Sequence, residues 1–211
     1  ENGEEKGISA FVTDGDTEGI SLNPPEKKMG WCGSDTRSVF FKDMHIPTSA
    51  VLGNPSKGFK QFLKTLTGGR ITIGALGLGT AQGAFARALE YSQEREAFGK
   101  SINNFQGISF KLSDMATQIE AARHLVYYAA WKKDQGLPVI REAAMAKLFS
   151  SETAMQVTTE AIQVLGGYGY IKEYDVERFF RDAKILEIGE GTSEIQRMII
   201  ARDLIQSVQT V

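Results

Sequence analysis

The sequence predicts a mainly α-helical fold, an antiparallel four-helix bundle preceded by a partial antiparallel β-domain. Two observations favour this fold. From about Ser56 onward, apolar residues recur with the period of about 3.6 that marks helices buried on one face. Before that point the chain is rich in Gly, Pro and Thr and carries only short extended patterns. We therefore expect two domains, residues 1–53 as the remainder of a β-domain and residues 54–211 as the helical bundle.

The β part is expected to contain three or four short strands. Extended patterns cover residues 8–12, 19–22 and 37–41, with turn-forming residues such as Asp14-Gly15-Asp16 between them. So few and such short strands cannot close a core alone. Either they pack on the bundle, or they belong to a larger sheet whose other strands are absent from this sequence. The abrupt start of the chain favours the second alternative.

Five helices are expected after the β part. The first runs from about residue 58 into the nineties, and the second runs from about residue 104 to Gly136-Leu137-Pro138, a typical helix stop. A third covers about residues 139–165, a short one 175–182, and a last one 193–208. Short connections between long amphipathic helices favour antiparallel neighbours. The side chains of the third helix that are predicted to face inward are Ala143, Met145, Leu148, Phe149, Met155 and Ile162.

The composition argues against several classes of function. A net charge of −2 lacks the basic surplus of a general nucleic-acid binder. Cys32 is the only cysteine, so no intrachain disulfide can form, which fits a reducing compartment. With His45 and His124 it cannot supply a metal cluster of the usual spacing. No run approaches the roughly 20 apolar residues of a membrane helix. We expect a globular protein that binds neither metal, nucleic acid nor membrane.

One glycine pattern resembles a dinucleotide-binding fingerprint but differs from it. Gly77, Gly79 and Gly83 have the spacing G-x-G-x-x-x-G, one residue too long, and they lie within a helical period with no strand before them. Dinucleotide binding requires a strand, a tight turn and then a helix N-terminus. The glycines therefore predict close helix packing.

The most informative tract lies between residues 185 and 196. Glu190 stands between Gly189 and Gly191, so its backbone can approach another molecule closely. Ser193 and Gln196 have the spacing of an S-x-x-Q capping box for the last helix. Local pattern alone favours a simple alternative, in which Glu190 only complements the helix dipole.

Three further features are weak when taken singly. The segment Gln163-Val164-Leu165-Gly166-Gly167-Tyr168-Gly169-Tyr170 is an ordinary glycine-capped helix end or a loop that exposes its backbone to a phosphate or planar ring. Arg95, with Phe98-Gly99-Lys100 and Gln106 after it, either offsets a helix dipole or holds an anion bidentately. Arg70 is either a surface cation of its helix or an anion contact.

The order of these features along the chain closely resembles the acyl-CoA dehydrogenase family. The matching motifs are Arg70, Arg95-x-x-Phe98-Gly99-Lys100, Gln106, Gln163-x-Leu165-Gly166-Gly167-x-Gly169-Tyr170, Glu177-Arg178-x-x-Arg181-Asp182-Ala183 and Glu190-Gly191-Thr192-Ser193-Glu194-Ile195-Gln196-Arg197. Upstream, Met29-Gly30, Ser34, Thr36, Val39, Phe41, Asp43, Pro47 and Leu52-Gly53 resemble the end of that family's middle β-domain. Since family members are nearly twice this length, the resemblance identifies the chain as a C-terminal half of the short-chain, butyryl-CoA type.

The resemblance implies an activity and a set of site residues. Family members remove the α-proton of an acyl-CoA thioester with a carboxylate and pass a hydride from the β-carbon to FAD, which yields a trans-2-enoyl-CoA. The base would be Glu190, and the thioester oxygen would be polarised by its backbone N–H and a flavin hydroxyl. The acyl-CoA contacts would be Thr67, Arg70 and Gly191. The FAD contacts, some of them to a neighbouring subunit's cofactor, would be Arg95, Phe98, Gln106, Gln163, Val164, Leu165, Gly166, Gly167, Thr192, Ser193 and Glu194.

The resemblance also implies partners and a location. Electrons would pass to an electron-transfer flavoprotein, the assembly would be a homotetramer, and the compartment would be a bacterial cytoplasm or a mitochondrial matrix.

Some branches of the family carry the base just before the helix arginine, where this chain has Gly69. Glycine cannot act as a base, so Glu190 is the only matching candidate. Thr67 replaces a common Asp or Asn, and Gly189 replaces a common Tyr that would shape the acyl pocket.

Two alternative functions remain open at this point. An acyl-CoA oxidase or flavin monooxygenase would share the fold, and oxygen consumption would distinguish it from a dehydrogenase. A non-catalytic helical assembly module belongs to a different class, and a colourless purified protein would support it.

Overall fold

The structure is a computed structural model that describes residues 7–208. It divides into two compact units, one up to Leu66 and one from Thr67 onward, and each is described by itself. The first long helix, α1 (Gly58–Glu94), begins in the first unit and continues into the second. The predicted domain boundary after residue 53 stays a prediction.

The first unit contains four short strands, β1 (Ala10–Phe11), β2 (Ile20–Leu22), β3 (Val39–Phe41) and β4 (Val51–Leu52). β1 pairs antiparallel with β4, and β2 pairs antiparallel with β3. The three strands located from the sequence are confirmed, and β4, whose position was not predicted, is the fourth. Within residues 7–66, Ala10 is the only fully buried apolar side chain, as expected of two-stranded ribbons too small to close a core.

The second unit is a helical bundle, so the predicted fold class is confirmed. After α1 come a short hairpin of β5 (Glu96–Ala97) and β6 (Lys100–Ser101), then α2 (Gln106–Asp134), α3 (Ile140–Leu165), α4 (Val176–Ala183) and α5 (Ser193–Val208). All five helices lie close to their predicted bounds. The hairpin was not predicted, and its turn residues Phe98 and Gly99 both have a positive φ.

Two of the three α1 glycines predicted to allow close helix packing, Gly77 and Gly83, do so, whereas a Cβ atom built on Gly79 would meet nothing within 4 Å. A Cβ atom built on Gly77 would lie 2.9 Å from the backbone oxygen of Ser150, and one built on Gly74 would lie 3.3 Å from that of Ala146. On Gly83 it would lie 3.0 Å from the ring of Phe179. The missing side chains therefore allow α1 to approach α3 and α4 closely.

The prediction of which α3 side chains face inward was largely wrong. Of the six predicted side chains only Ala143 is fully buried; Met145, Leu148, Met155 and Ile162 are half-buried and Phe149 is exposed. The reason is that α3 packs against α1, α2, α4 and α5 and is covered on several sides. Small side chains fill these close contacts, and the fully buried residues include Ala146, Lys147, Ser150, Ser151, Ala154, Val157, Thr158 and Ala161.

The predicted capping box of α5, formed by Ser193 and Gln196, was also wrong. The hydroxyl of Thr192, not of Ser193, accepts a hydrogen bond from the N–H of Ile195 at 3.4 Å. Ser193 is already helical, and its hydroxyl is buried without a hydrogen-bond partner within the described residues. The amide of Gln196 bonds the preceding turn instead of closing a capping box. The capping residue is therefore one position earlier than predicted.

Each of the two histidines contacts a residue close to it in the sequence, His45 in the first unit and His124 on α2. The ring Nδ1 of His45 lies 2.8 Å from the backbone oxygen of Asp43, and Nε2 of His124 lies 3.4 Å from Glu120, one helical turn away. Across residues 7–208, no three His, Cys, Asp or Glu side chains converge in a way that could hold a metal ion. In that same stretch no helix combines the length and the apolar character needed to cross a membrane.

Candidate active site

Glu190 lies in a strained turn just before α5. Its φ is +57° and that of Gly191 is +93°, so two consecutive residues adopt a conformation that non-glycine residues rarely take. A non-glycine residue held in this region costs of order 1–3 kcal/mol and persists only where its surroundings enforce it. Strain at Glu190 is therefore maintained by other contacts, and it marks the turn as a functional candidate.

The carboxylate of Glu190 lies against the backbone of α1. A Cβ atom built on Gly69 would be 2.6 Å from Oε2 of Glu190, so the carboxylate occupies the space that a side chain at Gly69 would need. Glu190 is exposed in this chain, and among residues 7–208 its carboxylate accepts no hydrogen bond and forms no ion pair within 4.0 Å. An exposed carboxylate without a partner, seated on a glycine, is available to accept a proton from a bound molecule.

Two buried side chains donate hydrogen bonds to the backbone of the Glu190–Gly191 turn. Nζ of Lys147 on α3 and Nε2 of Gln196 on α5 both donate to the backbone oxygen of Gly191 at 2.8 Å. Nε2 of Gln196 also donates to the backbone oxygen of Glu190 at 3.3 Å. Lys147 and Gln196 are both completely buried. The positive-φ turn is thus fixed to the two helices behind it.

Arg70 places a buried cation beside the turn. Its side chain is 6% exposed, and its Nε has no hydrogen-bond partner within the described part of the chain. Burial lowers the pKa of Arg70, and the negative charge of Glu190 opposes this change. No ion pair joins Arg70 to Glu190 within 4.0 Å in residues 7–208, so both groups keep free hydrogen-bonding capacity.

The three residues after Gly191 surround the start of α5. Thr192 is half-buried and caps the helix, Ser193 buries a hydroxyl without a partner, and Glu194 is exposed. The hydroxyl of Thr192 lowers the pKa of the Glu194 carboxyl by hydrogen bonding. Thr67, one helical turn before Arg70 on α1, is half-buried. The seven predicted residues named here therefore lie in three neighbouring segments. These segments are α1 around Gly69, the turn formed by Glu190 and Gly191, and the start of α5.

A second group of predicted residues lines a cavity of about 710 Å³ in the same unit. Arg95 and Phe98 come from the end of α1 and the hairpin, and Val164 to Gly167 come from the end of α3. The remaining lining residues are Tyr91, Ala97, Ile102, Phe105, Ile108, Tyr168 and Ile171. The cavity is therefore largely apolar and aromatic, with the guanidinium of Arg95 as its one charged side chain among the described lining residues.

The cavity has the chemistry to hold a planar ring next to an anion. Cζ of Arg95 lies 5.9 Å from the ring centre of Tyr168, and Phe98 meets Phe105 edge to face at 6.1 Å. A Cβ atom built on Gly166 or Gly167 would meet nothing within 4 Å, so a ligand could reach this backbone. Phe98 is 96% exposed, which leaves nearly all of its ring open to a ligand. The two predicted glutamines, Gln106 and Gln163, are both exposed and do not line the cavity.

Several residues at these two places were not singled out from the sequence. Tyr91 lies four residues before Arg95 on α1, so helical spacing alone could have placed it on the same face. Phe105 and Tyr168 flank predicted residues and complete the aromatic lining. Lys147 carried a weaker signal, a lysine that follows the small and apolar residues Ala143-Ala144-Met145-Ala146 on a helix. Burial lowers the pKa of Lys147, an effect opposed by Glu187 and Glu194.

The chain matches one protein-family model and many known proteins. Residues 56–205 match the family model described as acyl-CoA dehydrogenase, C-terminal domain. The chain is 50% identical over 196 residues to the short-chain specific acyl-CoA dehydrogenase of Clostridium acetobutylicum, an alignment that covers 93% of this chain and 52% of that protein. It thus spans about half the length of the curated relatives it matches.

Solved structures give the same result. Butyryl-CoA dehydrogenase from Megasphaera elsdenii superposes with a TM-score of 0.93 at 50% identity, covering 95% of this chain and 52% of that one. A chain in a structure described as electron transferring flavoprotein of Acidaminococcus fermentans superposes with a TM-score of 0.91 at 48% identity, covering 93% and 52%.

Proposed function

The chain belongs to the acyl-CoA dehydrogenase family, and from this premise we propose that it supplies the base and part of the cofactor site for α,β-dehydrogenation of acyl-CoA thioesters. The product would be a trans-2-enoyl-CoA. A short acyl chain is the proposed substrate, since the relatives above are described as short-chain specific and as butyryl-CoA dehydrogenase. The observation that carries the proposal is the unpaired carboxylate of Glu190, held at positive φ over Gly69.

In this proposal Glu190 takes the α-proton of the bound thioester. A free carboxylate oxygen can accept that proton directly once water has been displaced. The N–H of Glu190 donates no hydrogen bond within residues 7–208, so it is available to the thioester oxygen, where negative charge develops. Arg70, buried beside the turn with a free Nε, would bind the acyl-CoA together with Thr67 and Gly191.

FAD is the proposed cofactor, and it would accept the hydride from the β-carbon when bound. The cavity at Arg95 fits an aromatic ring and a phosphate, because it combines aromatic walls, one guanidinium and an open glycine backbone. The buried Ser193 hydroxyl without a partner fits a second polar contact. We propose that Gln106 and Gln163 complete the cofactor contacts at the cavity rim, and that Thr192, Ser193 and Glu194 complete those beside the base.

The proposed assembly is a homotetramer in which each chain contributes to two cofactors. The cofactor contacts fall into two groups, one at the cavity and one at the start of α5, and one FAD of a neighbouring subunit would account for the cavity group. An electron-transfer flavoprotein is the proposed electron acceptor, since one superposed chain comes from a structure described by that name. A bacterial cytoplasm is the proposed location, in keeping with the bacterial source of the relatives above.

Replacing Arg95 by Leu should weaken FAD binding. Loss of a charge-assisted contact to a phosphate removes about 1.5–3 kcal/mol, which corresponds to about 10- to 100-fold in the dissociation constant. Fluorescence of released FAD during dilution or ultrafiltration of the holoenzyme measures this change. Arg87→Leu is the matched control, because Arg87 lies on α1, about two turns before Arg95, and does not line the cavity. Equal FAD retention by the two variants would contradict the assignment of the cavity.

The reaction itself is tested by anaerobic addition of butyryl-CoA to the yellow holoenzyme that contains this chain. We expect the flavin absorbance near 450 nm to bleach with formation of crotonyl-CoA, and an electron-transfer flavoprotein to restore the colour. Rapid reoxidation by dioxygen with hydrogen peroxide release would indicate the oxidase alternative. A purified protein that binds no flavin would support the assembly module and overturn the proposal.

A further inference from the structure

Lys147 is the least expected side chain in the bundle. It lies in the middle of α3, none of its surface is exposed, and its Nζ has a single hydrogen-bond partner, the backbone oxygen of Gly191. Within residues 7–208 no carboxylate lies within 4.0 Å of this Nζ; Glu187 and Glu194 act on it only at longer range. A buried ammonium without a paired carboxylate is costly, because burial removes its hydration. Folding alone therefore gives no reason for a lysine at this position.

The contact that Lys147 makes is at the strained turn that carries Glu190. The oxygen it binds belongs to Gly191, the second of the two consecutive positive-φ residues, and the first of them is Glu190. The amide of Gln196 donates to the same oxygen at 2.8 Å and to that of Glu190 at 3.3 Å. α3 and α5 thus each contribute one donor, and together they fix the peptides on the two sides of Gly191, the residue directly after Glu190.

We propose that Lys147 is a positioning residue for proton abstraction, which through the Gly191 carbonyl holds the Glu190 turn so that the carboxylate lies over Gly69. The proposal rests on the proposed function of Glu190. Without the ammonium, the Gly191 carbonyl keeps only the Gln196 donor and the turn can relax toward an unstrained φ. A displacement of about 1 Å at the reacting group is enough to slow a reaction about 10²-fold.

A structural role and a positioning role predict different effects for Lys147→Met. Methionine keeps much of the length and apolar volume of the lysine stem, and the Gly191 oxygen keeps the Gln196 donor, so no buried acceptor is left unpaired. Replacing a buried charge by an apolar side chain of similar volume is often neutral or stabilising. We therefore expect an unchanged or higher melting temperature together with slower proton abstraction.

The test compares proton abstraction with binding in the holoenzyme that contains this chain. Exchange of the α-hydrogens of butyryl-CoA with D₂O, followed by proton NMR, reports on the base. We expect Lys147→Met to retain FAD, to bind butyryl-CoA within about threefold of the wild type and to slow exchange about 10- to 100-fold. Lys132→Met is the matched control, because Lys132 is a largely buried lysine paired with Glu142, and it should leave exchange unchanged.

The alternative outcomes separate this proposal from the proposed function. If Glu190→Gln abolishes exchange while Lys147→Met exchanges at the wild-type rate, Glu190 is the base and Lys147 does not position it. If Glu190→Gln exchanges normally, the proposed function fails. Should Lys147→Met not fold, Gln196→Met removes the other donor to the same carbonyl, and wild-type exchange in that variant would contradict the two-donor arrangement.

Discussion

Glu190→Gln in the holoenzyme should remove substrate-driven flavin reduction while FAD remains bound. Glutamine has the shape of glutamate but cannot accept the α-proton, and a positioned general base contributes about 10²- to 10⁴-fold to a rate. Because Glu190 has no matching second carboxylate at Gly69, we expect the loss to lie near 10⁴-fold. Stopped-flow absorbance after anaerobic mixing with butyryl-CoA measures the rate constant.

Glu120→Gln is the matched control for this prediction. Glu120 is an exposed glutamate on α2 that pairs with Arg123 and His124, so the same substitution there should leave flavin reduction unchanged. Chemical reduction with dithionite should bleach both variants equally, which shows that the flavin itself is intact. Bleaching of the Glu190→Gln variant by butyryl-CoA at the wild-type rate would show that another group is the base.

Gly69→Ala should impair catalysis with little loss of stability. The new methyl group would lie 2.6 Å from Oε2 of Glu190, so the carboxylate must move. Its movement costs little because the atom displaced is the exposed end of a flexible side chain, and alanine favours a helix over glycine by about 0.5–1 kcal/mol. We expect flavin reduction to slow about 10²-fold, as for a misplaced reacting group, with an unchanged urea midpoint.

Gly79→Ala supplies the control on the same helix. A Cβ atom at Gly79 would meet nothing within 4 Å, so this variant should gain the helix propensity without touching the site. Equal rates of flavin reduction in the Gly69→Ala and Gly79→Ala variants would mean that the carboxylate does not need its position over α1. A large fall in stability of Gly69→Ala alone would mean that the helix packing there, not the carboxylate, is disturbed.

The helices could be predicted because their information is local. Apolar periodicity and the stop at Gly136 place α1 to α5 near their observed bounds, and the α1 glycines indicate close packing before any neighbour is known. The buried side of α3 could not be predicted in the same way. A helix in the middle of a bundle has no single polar face, so the choice between Phe149 and Ala146 is made by its neighbours.

The site was only partly predictable for a similar reason. The order of motifs along the chain singled out Glu190, whereas its local pattern alone favoured a residue that only complements the α5 dipole. Lysine on a helix is normally solvated, so the burial of Lys147 depends on contacts made by residues 44 positions further on. The division of the predicted cofactor contacts into two groups depends on tertiary structure, which spacing along the chain does not encode.

The strained turn at Glu190 brings together three features that each lower the stability of the fold. A positive φ at a non-glycine residue, an unpaired guanidinium nitrogen on Arg70 and a buried ammonium on Lys147 each lower stability. All three lie in or beside the turn that carries the carboxylate of Glu190. Such a concentration of unfavourable features is expected where a group is held ready for a ligand.

Hydrogen exchange at the α-carbon of butyryl-CoA in D₂O tests the role of Glu190 most directly, because it follows the proton and does not depend on hydride transfer. With the wild-type holoenzyme we predict loss of the α-proton NMR signal, and with Glu190→Gln no exchange above the rate without enzyme. Exchange at the wild-type rate in the Glu190→Gln holoenzyme would contradict the assignment of this carboxylate as the base.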